Sequence, residues 1–174
     1  MKNLIVAGIG GQGVNVLTKV LAEVCRASGL DVQYTVHKGG AQSLGTVYGE
    51  MRIASGGLPI LGASIPKGKL DVLIALDPWE ALRHISLAHI NTQIWVETDI
   101  QPLFTDRRLQ SELVSPLDQL HQLPLVINWR HYRYTAITQY GNAKMANYCA
   151  GSDCLQALGI KDITIFNQFF GVNH

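Results

Sequence analysis

Four glycines stand close together near the start of the chain: Gly8, Gly10, Gly11 and Gly13. They follow a short apolar run at residues 4–7 and precede helical periodicity at residues 14–28. In this context the glycines allow a tight turn, and they let a ligand approach the backbone. The first N–H groups of the following helix would face an anion, usually phosphate. We predict an anion-binding loop here and assign Gln12 to it together with the glycines.

A second glycine-rich stretch, residues 38–46, is polar and lacks helical periodicity. On an α/β framework such loops often bind ligands or subunits, and a plain connection to the next strand is the alternative. Two such loops in the first quarter of the chain could converge at one edge of a sheet. We therefore add Gln42 and Gly45 to the predicted ligand site.

The sequence argues against NAD bound to these loops in its usual position. A dinucleotide site normally has an acidic residue about 20 residues after the glycines, to hold the ribose hydroxyls. Counting forward from the first loop reaches Gln33 and Tyr34, and Asp31 comes too early, before the predicted strand. That strand ends with His37 and Lys38. This basic pair favours a phosphorylated ligand over a bare ribose.

An acid/base pair is the other chemistry that the sequence offers. Asp77 and Glu80 open a helix together with Pro78. Asp77 is a good N-cap and Glu80 lies three residues on, as in a capping box, which accounts for both carboxylates without catalysis. Arg83 and His84 can pair with Glu80 along the helix. We assign no catalytic residue to this chain.

Three cysteines, Cys25, Cys149 and Cys154, are odd in number and lack C-x-x-C spacing. We expect buried free thiols. An iron–sulfur cluster normally takes four thiolates, so this chain cannot supply one alone. His84 and His89 are five residues apart, a poor spacing for one metal, and no H-E-x-x-H motif exists. We expect no metal site.

Residues 129–134 interleave aromatic and basic side chains, a pattern that can stack on bases and hold phosphates. The net charge of the chain is only +1, so we expect no nucleic acid partner. A subunit interface suits Trp, Tyr and Arg better.

Composition indicates a compact globular protein. The chain has 174 residues, 47% of them hydrophobic and 16% charged, and we predict one domain over residues 1–174. The low charge fraction indicates partner subunits. No apolar run approaches the ~18 residues of a membrane span, and Met1 leads directly into a strand without a signal peptide. We expect a cytoplasmic protein that does not contact a membrane.

The pattern of elements predicts a three-layer α/β/α fold with a mostly parallel twisted sheet and a Rossmann-like start. Strands are predicted at residues 4–7, 32–36, 47–54, 71–76, 93–96 and 125–128. Helices are predicted at residues 14–28, from residue 78, at 116–120 and at 143–158, and residues 163–170 fit either a helix or a strand.

Five stretches together carry a family resemblance: residues 8–13, 37–42, 45–53, 70–83 and 141–147. In order and spacing they resemble the gamma subunit, or gamma domain, of 2-oxoacid:ferredoxin oxidoreductases, and they are most similar to the indolepyruvate oxidoreductase beta subunit type. Two features depart from the family. Ser43 and Leu44 replace an Arg-Gly pair after Ala41-Gln42, and the chain is short after Asn147.

The resemblance implies oxidative decarboxylation of a 2-oxoacid to an acyl-CoA, the Ala41-Gln42 stretch favouring an aryl 2-oxoacid such as indolepyruvate. It implies thiamine diphosphate and iron–sulfur clusters on partner subunits, with ferredoxin or a similar acceptor. Coenzyme A is the candidate ligand of this chain, its pyrophosphate lying on the first glycine loop. A stand-alone nucleotide-binding oxidoreductase and a non-enzymatic ligand-binding module are the alternatives, and co-purification with thiamine and iron–sulfur subunits would discriminate between them.

Overall fold

The computed structural model describes residues 1–40, 45–62, 64–97 and 126–172. This part of the chain forms one six-stranded sheet with helices on both faces. The strands are β1 (Lys2–Ile9), β2 (Asp31–Lys38), β3 (Thr46–Ala54), β4 (Leu70–Ala75), β5 (Ala88–Val96) and β6 (Val126–Asn128). The helices are α1 (Val14–Ala27), α2 (Pro78–His84), α3 (Arg130–Tyr140), α4 (Ala146–Ala157) and α5 (Thr164–Phe169), and 3-10 turns lie at Ile85–Leu87 and Ala143–Met145.

The order of the strands is β2-β3-β1-β4-β5-β6. β1, β4, β5 and β6 pair in parallel, whereas β3 is antiparallel to both of its neighbours, β1 and β2. Five of the six described strands therefore point the same way, and β3 runs against them. The predicted mostly parallel α/β fold is confirmed.

The two faces of the sheet have cores of different size. On one face, α1, α3, α4 and α5 cover alternate residues of the strands, including Leu4, Val6 and Ile74. On the other face, α2 and the buried Ile65 cover residues of opposite parity, including Ile5 and Leu73. This alternation is the period-2 pattern of strands buried on both faces, and it produces the three predicted layers.

α1 lies unusually close to the sheet at Gly49 of β3. A Cβ added at Gly49 would be only 2.1 Å from Thr18 Oγ1. The Thr18 hydroxyl is fully buried and donates to the carbonyl of Val14 in the preceding turn, at 2.8 Å. The missing side chain of Gly49 therefore fixes the depth at which α1 packs, and with it the position of the loop that precedes α1.

Where a predicted helix lies within the described residues, its boundaries agree with the structure to within a few residues. The sequence pattern does not predict α3, because few of its residues are apolar enough to show a helical period. α1 ends at Ala27, and Gly29, two residues on, has a left-handed φ of 77°. The predicted helix at residues 143–158 begins as a 3-10 turn, which the Asn142 side chain caps by accepting from Lys144 N–H at 3.0 Å. The ambiguous last segment is helical, and the predicted helix at residues 116–120 lies outside the described residues.

The aromatic and basic run at residues 129–134 straddles the start of α3. Trp129 and Tyr132 are buried and pack edge to face, with ring centroids 5.3 Å apart. For these two residues the interface prediction is wrong, because their period matches the inner face of a helix. Tyr134 is 70% exposed and Arg133 pairs with the buried Glu97 at 2.9 Å.

The three cysteines are buried free thiols, as predicted. Burial raises the pKa of Cys25 to about 12 and raises that of Cys149 and Cys154 above its ordinary value. No helix in the described ranges is both long and apolar enough to cross a membrane.

Candidate functional site

The first glycine loop lies at the carboxyl end of β1, beside the carboxyl end of the parallel strand β4. From β1 the chain enters α1 and returns through β2 on one side, whereas β4 lies on the other side. The crevice between β1 and β4 is therefore a point where strand order reverses, the usual ligand position in open α/β sheets. Gly8 itself lies inside β1, and the turn proper begins after Ile9.

The side chain of Gln12 spans this crevice. Its Oε1 accepts from Ile9 N–H at 2.8 Å, and its Nε2 donates to the carbonyl of Leu76 at 3.0 Å. Leu76 directly follows β4, so one amide group joins the ends of the two strands. The sequence predicts a ligand contact for Gln12, whereas in the structure both ends of its amide already have protein partners.

The position of the Gln12 side chain leaves no room for a side chain at Gly8. A Cβ added at Gly8 would lie 2.5 Å from Gln12 Oε1, 3.0 Å from Val14 Cγ2 and 3.2 Å from Leu76 Cβ. The first of these separations is one that real Cβ atoms essentially never show. The structure therefore explains Gly8 by packing within the loop, without any ligand.

Gly11, Gly13 and the start of α1 form the open part of the loop. Gly11 has a φ of 97°, is exposed, and a Cβ there would meet nothing within 4 Å. Gly13 is the N-cap residue with a φ of 87°, so no side chain caps α1, and its first turn has no acidic residue. Within the described part of the chain, the N–H groups of residues 14–16 have no hydrogen-bond partner, and the first helical bond is Leu17 N–H to Gly13 O. An anion could accept from these groups.

The two glycine loops meet, as expected. Gly10 N–H donates to the carbonyl of Gly45 at 2.9 Å, and Gly39 N–H donates to the carbonyl of Thr46 at 2.7 Å. The two ends of the second loop therefore lie side by side, and its Gly45 end contacts the first loop. Gln42, the other residue assigned to this loop, lies outside the described residues.

Asn147 is a residue of the site that sequence reasoning missed. Its Nδ2 donates to the carbonyl of Gln12 at 3.0 Å, and it lies 3.0 Å from the position of a Cβ on Gly13. Asn147 is in the first turn of α4 and 135 residues distant in the chain. The resemblance included the stretch at residues 141–147, but only the fold places it against the glycine loop.

On the other face of the sheet, α2 begins as predicted at an Asp77 cap. The Asp77 carboxylate accepts from Trp79 N–H at 2.9 Å and from Glu80 N–H at 3.3 Å. Glu80 does not complete a capping box, so that prediction is wrong. Its Oε1 instead accepts from Thr46 Oγ1 at 3.0 Å and pairs with Arg83 Nε at 3.2 Å. Thr46 begins β3, so Glu80 anchors the end of the second glycine loop.

The second oxygen of Glu80, Oε2, is buried without a hydrogen-bond partner in the described structure. Glu80 is only 3% exposed. Burial raises the pKa of the Glu80 carboxyl, and the Thr46 hydrogen bond and Arg83 oppose that rise. Burial likewise raises the pKa of Asp77, against its two backbone hydrogen bonds.

The sequence predicts that both Arg83 and His84 pair with Glu80. The pairing of His84 is wrong. Its ring packs on Tyr48, with centroids 4.7 Å apart, and Tyr48 in turn stacks on His37 at 4.5 Å. His84 Nε2 is buried and has no hydrogen-bond partner in the described structure. Burial lowers the pKa of His84, and the nearby charges of Arg83 and His37 lower it further.

The arrangement is suited to holding an anion by backbone N–H groups. The described residues contain no group of three or more His, Cys, Asp or Glu side chains placed to hold a metal ion. The acidic side chains near the loop have structural partners: Asp77 caps α2, Glu80 holds Thr46, and Glu97 pairs with Arg133. What the geometry offers to a ligand is the backbone between Gly11 and residue 16.

Fold and loop together define a doubly wound α/β fold with a glycine-rich loop at the switch point. The gamma subunit of a keto/oxoacid ferredoxin oxidoreductase from Geobacter sulfurreducens PCA is similar, with a TM-score of 0.63 at 17% identity, covering 97% of this chain and 83% of that one. So is part of a 2-oxoglutarate:ferredoxin oxidoreductase from Magnetococcus marinus, solved with 2-oxoglutarate, coenzyme A and succinyl-CoA bound. There the TM-score is 0.58 at 18% identity, covering 86% of this chain and 23% of that one.

Residues 3–158 match the pyruvate ferredoxin/flavodoxin oxidoreductase family, and the chain belongs to that family. Among curated relatives, the indolepyruvate oxidoreductase subunit IorB of Archaeoglobus fulgidus is 36% identical over 96 residues. That match covers 55% of this chain and 46% of the relative, so the chain spans a little under half of the relative's length. The family resemblance drawn from the sequence is confirmed.

Proposed function

We propose that this chain is the gamma-type subunit of a 2-oxoacid oxidoreductase that uses ferredoxin or a related acceptor. The complex would convert a 2-oxoacid and coenzyme A to an acyl-CoA by oxidative decarboxylation. The observation that carries the proposal is the family match over residues 3–158, on a chain with the fold of gamma subunits. The name of the IorB relatives favours an aryl 2-oxoacid such as indolepyruvate.

The proposal divides the chemistry between subunits. The thiols of this chain are buried in its core, and the carboxylates near the glycine loop have structural partners. Thiamine diphosphate and the iron–sulfur clusters would be bound by partner subunits, and electrons would leave through those clusters. This chain would pack against the catalytic subunits and position a ligand.

Coenzyme A is the ligand that we propose for the glycine loop. Its pyrophosphate would accept hydrogen bonds from the open N–H groups at residues 14–16, and the α1 dipole would favour the negative charge. Gly10, Gly11 and Gly13 would allow the close approach. The Magnetococcus marinus enzyme, whose structure contains coenzyme A, supports the choice by its similar fold.

Co-purification tests the subunit assignment. A tagged form of the chain, expressed in cells that contain its partners, should be recovered with thiamine and iron–sulfur subunits. The complex should reduce ferredoxin or a viologen dye when given indolepyruvate and coenzyme A. Recovery of the chain alone, with NAD reduction by some substrate, would support a stand-alone oxidoreductase and contradict the proposal.

Two matched glycine substitutions test the coenzyme A site. Gly11→Ala and Gly159→Ala both place alanine at an exposed position whose φ, 97° or 81°, lies beyond the left-handed region that L residues favour, and neither new Cβ meets an atom within 4 Å. We expect only Gly11→Ala to weaken coenzyme A binding, because its methyl group would obstruct the approach of the pyrophosphate to the loop. The loss should be roughly tenfold, the factor for about one hydrogen bond. Titration calorimetry on the complex measures this. Equal coenzyme A affinity in the two variants would contradict the proposal that coenzyme A binds at this loop.

A further inference from the structure

We propose that Gln12 is a positioning residue that closes the crevice between β1 and β4. The closure restricts the glycine loop to ligands that present a phosphate from outside the sheet edge, and it excludes a nucleoside laid across the strand ends. The ligand part of this inference rests on the proposed function, because it concerns the same loop. The closure itself rests on hydrogen bonds between residues of this chain.

The first step is the bridge made by the Gln12 amide. Its oxygen accepts from Ile9 N–H at 2.8 Å and its nitrogen donates to the Leu76 carbonyl at 3.0 Å. Ile9 is the last residue of β1, and Leu76 is the first residue after β4. The side chain therefore spans the mouth of the crevice from one strand end to the other, with a partner for each end of the amide.

The second step is the packing of the chain around that bridge. The absent side chain of Gly8 provides the space for Gln12 Oε1, because a Cβ there would lie 2.5 Å away. The carbonyl of Gln12 accepts from Asn147 Nδ2 at 3.0 Å, which fixes its backbone from the side of α4. Gln12 is thus fixed at backbone and side chain before any ligand arrives.

The third step concerns what such a loop can bind. In doubly wound folds a dinucleotide lies in the crevice at the switch point, and an acidic residue at the end of β2 holds its ribose. Here the side chain of Gln12 spans the crevice, and β2 ends with His37 and Lys38. A ligand can still reach the N–H groups at residues 14–16 from outside, provided that its nucleoside is bound elsewhere. Coenzyme A, with a long arm beyond its pyrophosphate, fits this description.

A double-mutant cycle tests the closure without any ligand. Gly8→Ala should lower the Tm of the chain strongly, because the new methyl group clashes with Gln12 Oε1. In the presence of Gln12→Ala the same substitution should have a smaller effect, since the closest of the three contacting atoms is gone. If the two Tm shifts are additive, the Gly8–Gln12 contact does not hold the crevice closed, and the proposal is overturned.

Ligand selectivity tests the functional consequence. Gln12→Ala opens the crevice, whereas Gln12→Met fills it without hydrogen bonds. The quantity compared is the Kd for NADH divided by the Kd for coenzyme A. We expect Gln12→Ala to lower this quotient roughly tenfold relative to wild type, because NADH gains access to the crevice. Gln12→Met should leave it unchanged. Gln33→Ala, at an exposed position of β2, is the control. If both variants lose affinity for both ligands by the same factor, Gln12 does not control ligand selectivity, and the proposal is overturned.

The same titrations separate this inference from the proposed function. If wild type binds no coenzyme A, the proposed function of the loop fails. In that case, tighter NADH binding by Gln12→Ala than by wild type, measured by NADH fluorescence, would still support a closed crevice in the wild type. No gain there would overturn it.

Discussion

At the scale of single residues, the site depends on side chains whose hydrogen-bond partners a sequence pattern does not show. Gln12 stands among glycines and looks like a ligand contact, but its amide joins β1 to β4. Glu80 stands where a capping box has its acid, but it anchors Thr46 of the neighbouring strand. In both cases a tertiary hydrogen bond replaces the local one, and a long-range partner of this kind leaves no mark in local spacing.

Glu80→Gln tests the cost of the buried carboxylate. Because burial raises the pKa of Glu80 above its ordinary value of 4.5, the folded state binds more protons than the unfolded state just above that pH. The wild type therefore loses stability as pH rises from 4.5 through the raised pKa, and Glu80→Gln lacks this loss. We expect the variant to gain stability relative to wild type over that window.

Urea unfolding between pH 4 and pH 8 measures the difference for Glu80→Gln. The lost pair with Arg83 should cost at most about 1 kcal/mol, because that arginine is 64% exposed. Glu23→Gln, at an exposed position of α1, is the control and should show little change with pH. A difference between Glu80→Gln and wild type that does not vary with pH would contradict the buried-charge explanation.

At the scale of elements, most of the fold could be predicted. The apolar runs predict strands buried on both faces, and the period of residues 14–28 predicts α1 almost to the residue. The direction of β3 was also within reach, because a parallel connection needs a dozen or more residues. The short stretch between Lys38 and Thr46 permits only a hairpin. What no pattern predicts is which elements meet, as α4 does with the glycine loop through Asn147.

Gly49→Ala tests how closely α1 must pack on β3. The added Cβ would lie 2.1 Å from Thr18 Oγ1 and 2.4 Å from Thr18 Cγ2, and the backbone of Gly49 has an ordinary φ. We therefore expect overpacking, with a loss of about 1–3 kcal/mol in the free energy of unfolding. In a second variant, Thr18→Ala with Gly49→Ala, part of that loss should return. Urea unfolding measures the free energy of unfolding of both variants. If Gly49→Ala is as stable as wild type, α1 can move outwards freely, and the prediction is wrong.

At the scale of the whole molecule, the larger of the two cores holds α1, α3, α4 and α5 together. The larger cluster joins β1, β3 and β4 to α1, α4 and α5, and the three cysteines lie within it. A contiguous core of this kind predicts that the chain unfolds as a unit. The single domain predicted over residues 1–174 therefore stays a prediction that thiol chemistry can test.

Cysteine labelling is that test. Cys25, Cys149 and Cys154 are buried, and burial raises the pKa of each thiol, so the folded chain should present almost no thiolate to a reagent. All three should react together as denaturant is added, with the midpoint that circular dichroism gives for unfolding. Cys149 is the most informative of them, because at 8% exposure it lies nearest the surface. Labelling of Cys149 well before the global transition would mean that α4 opens independently, and the chain would then be less cooperative than its shared core predicts.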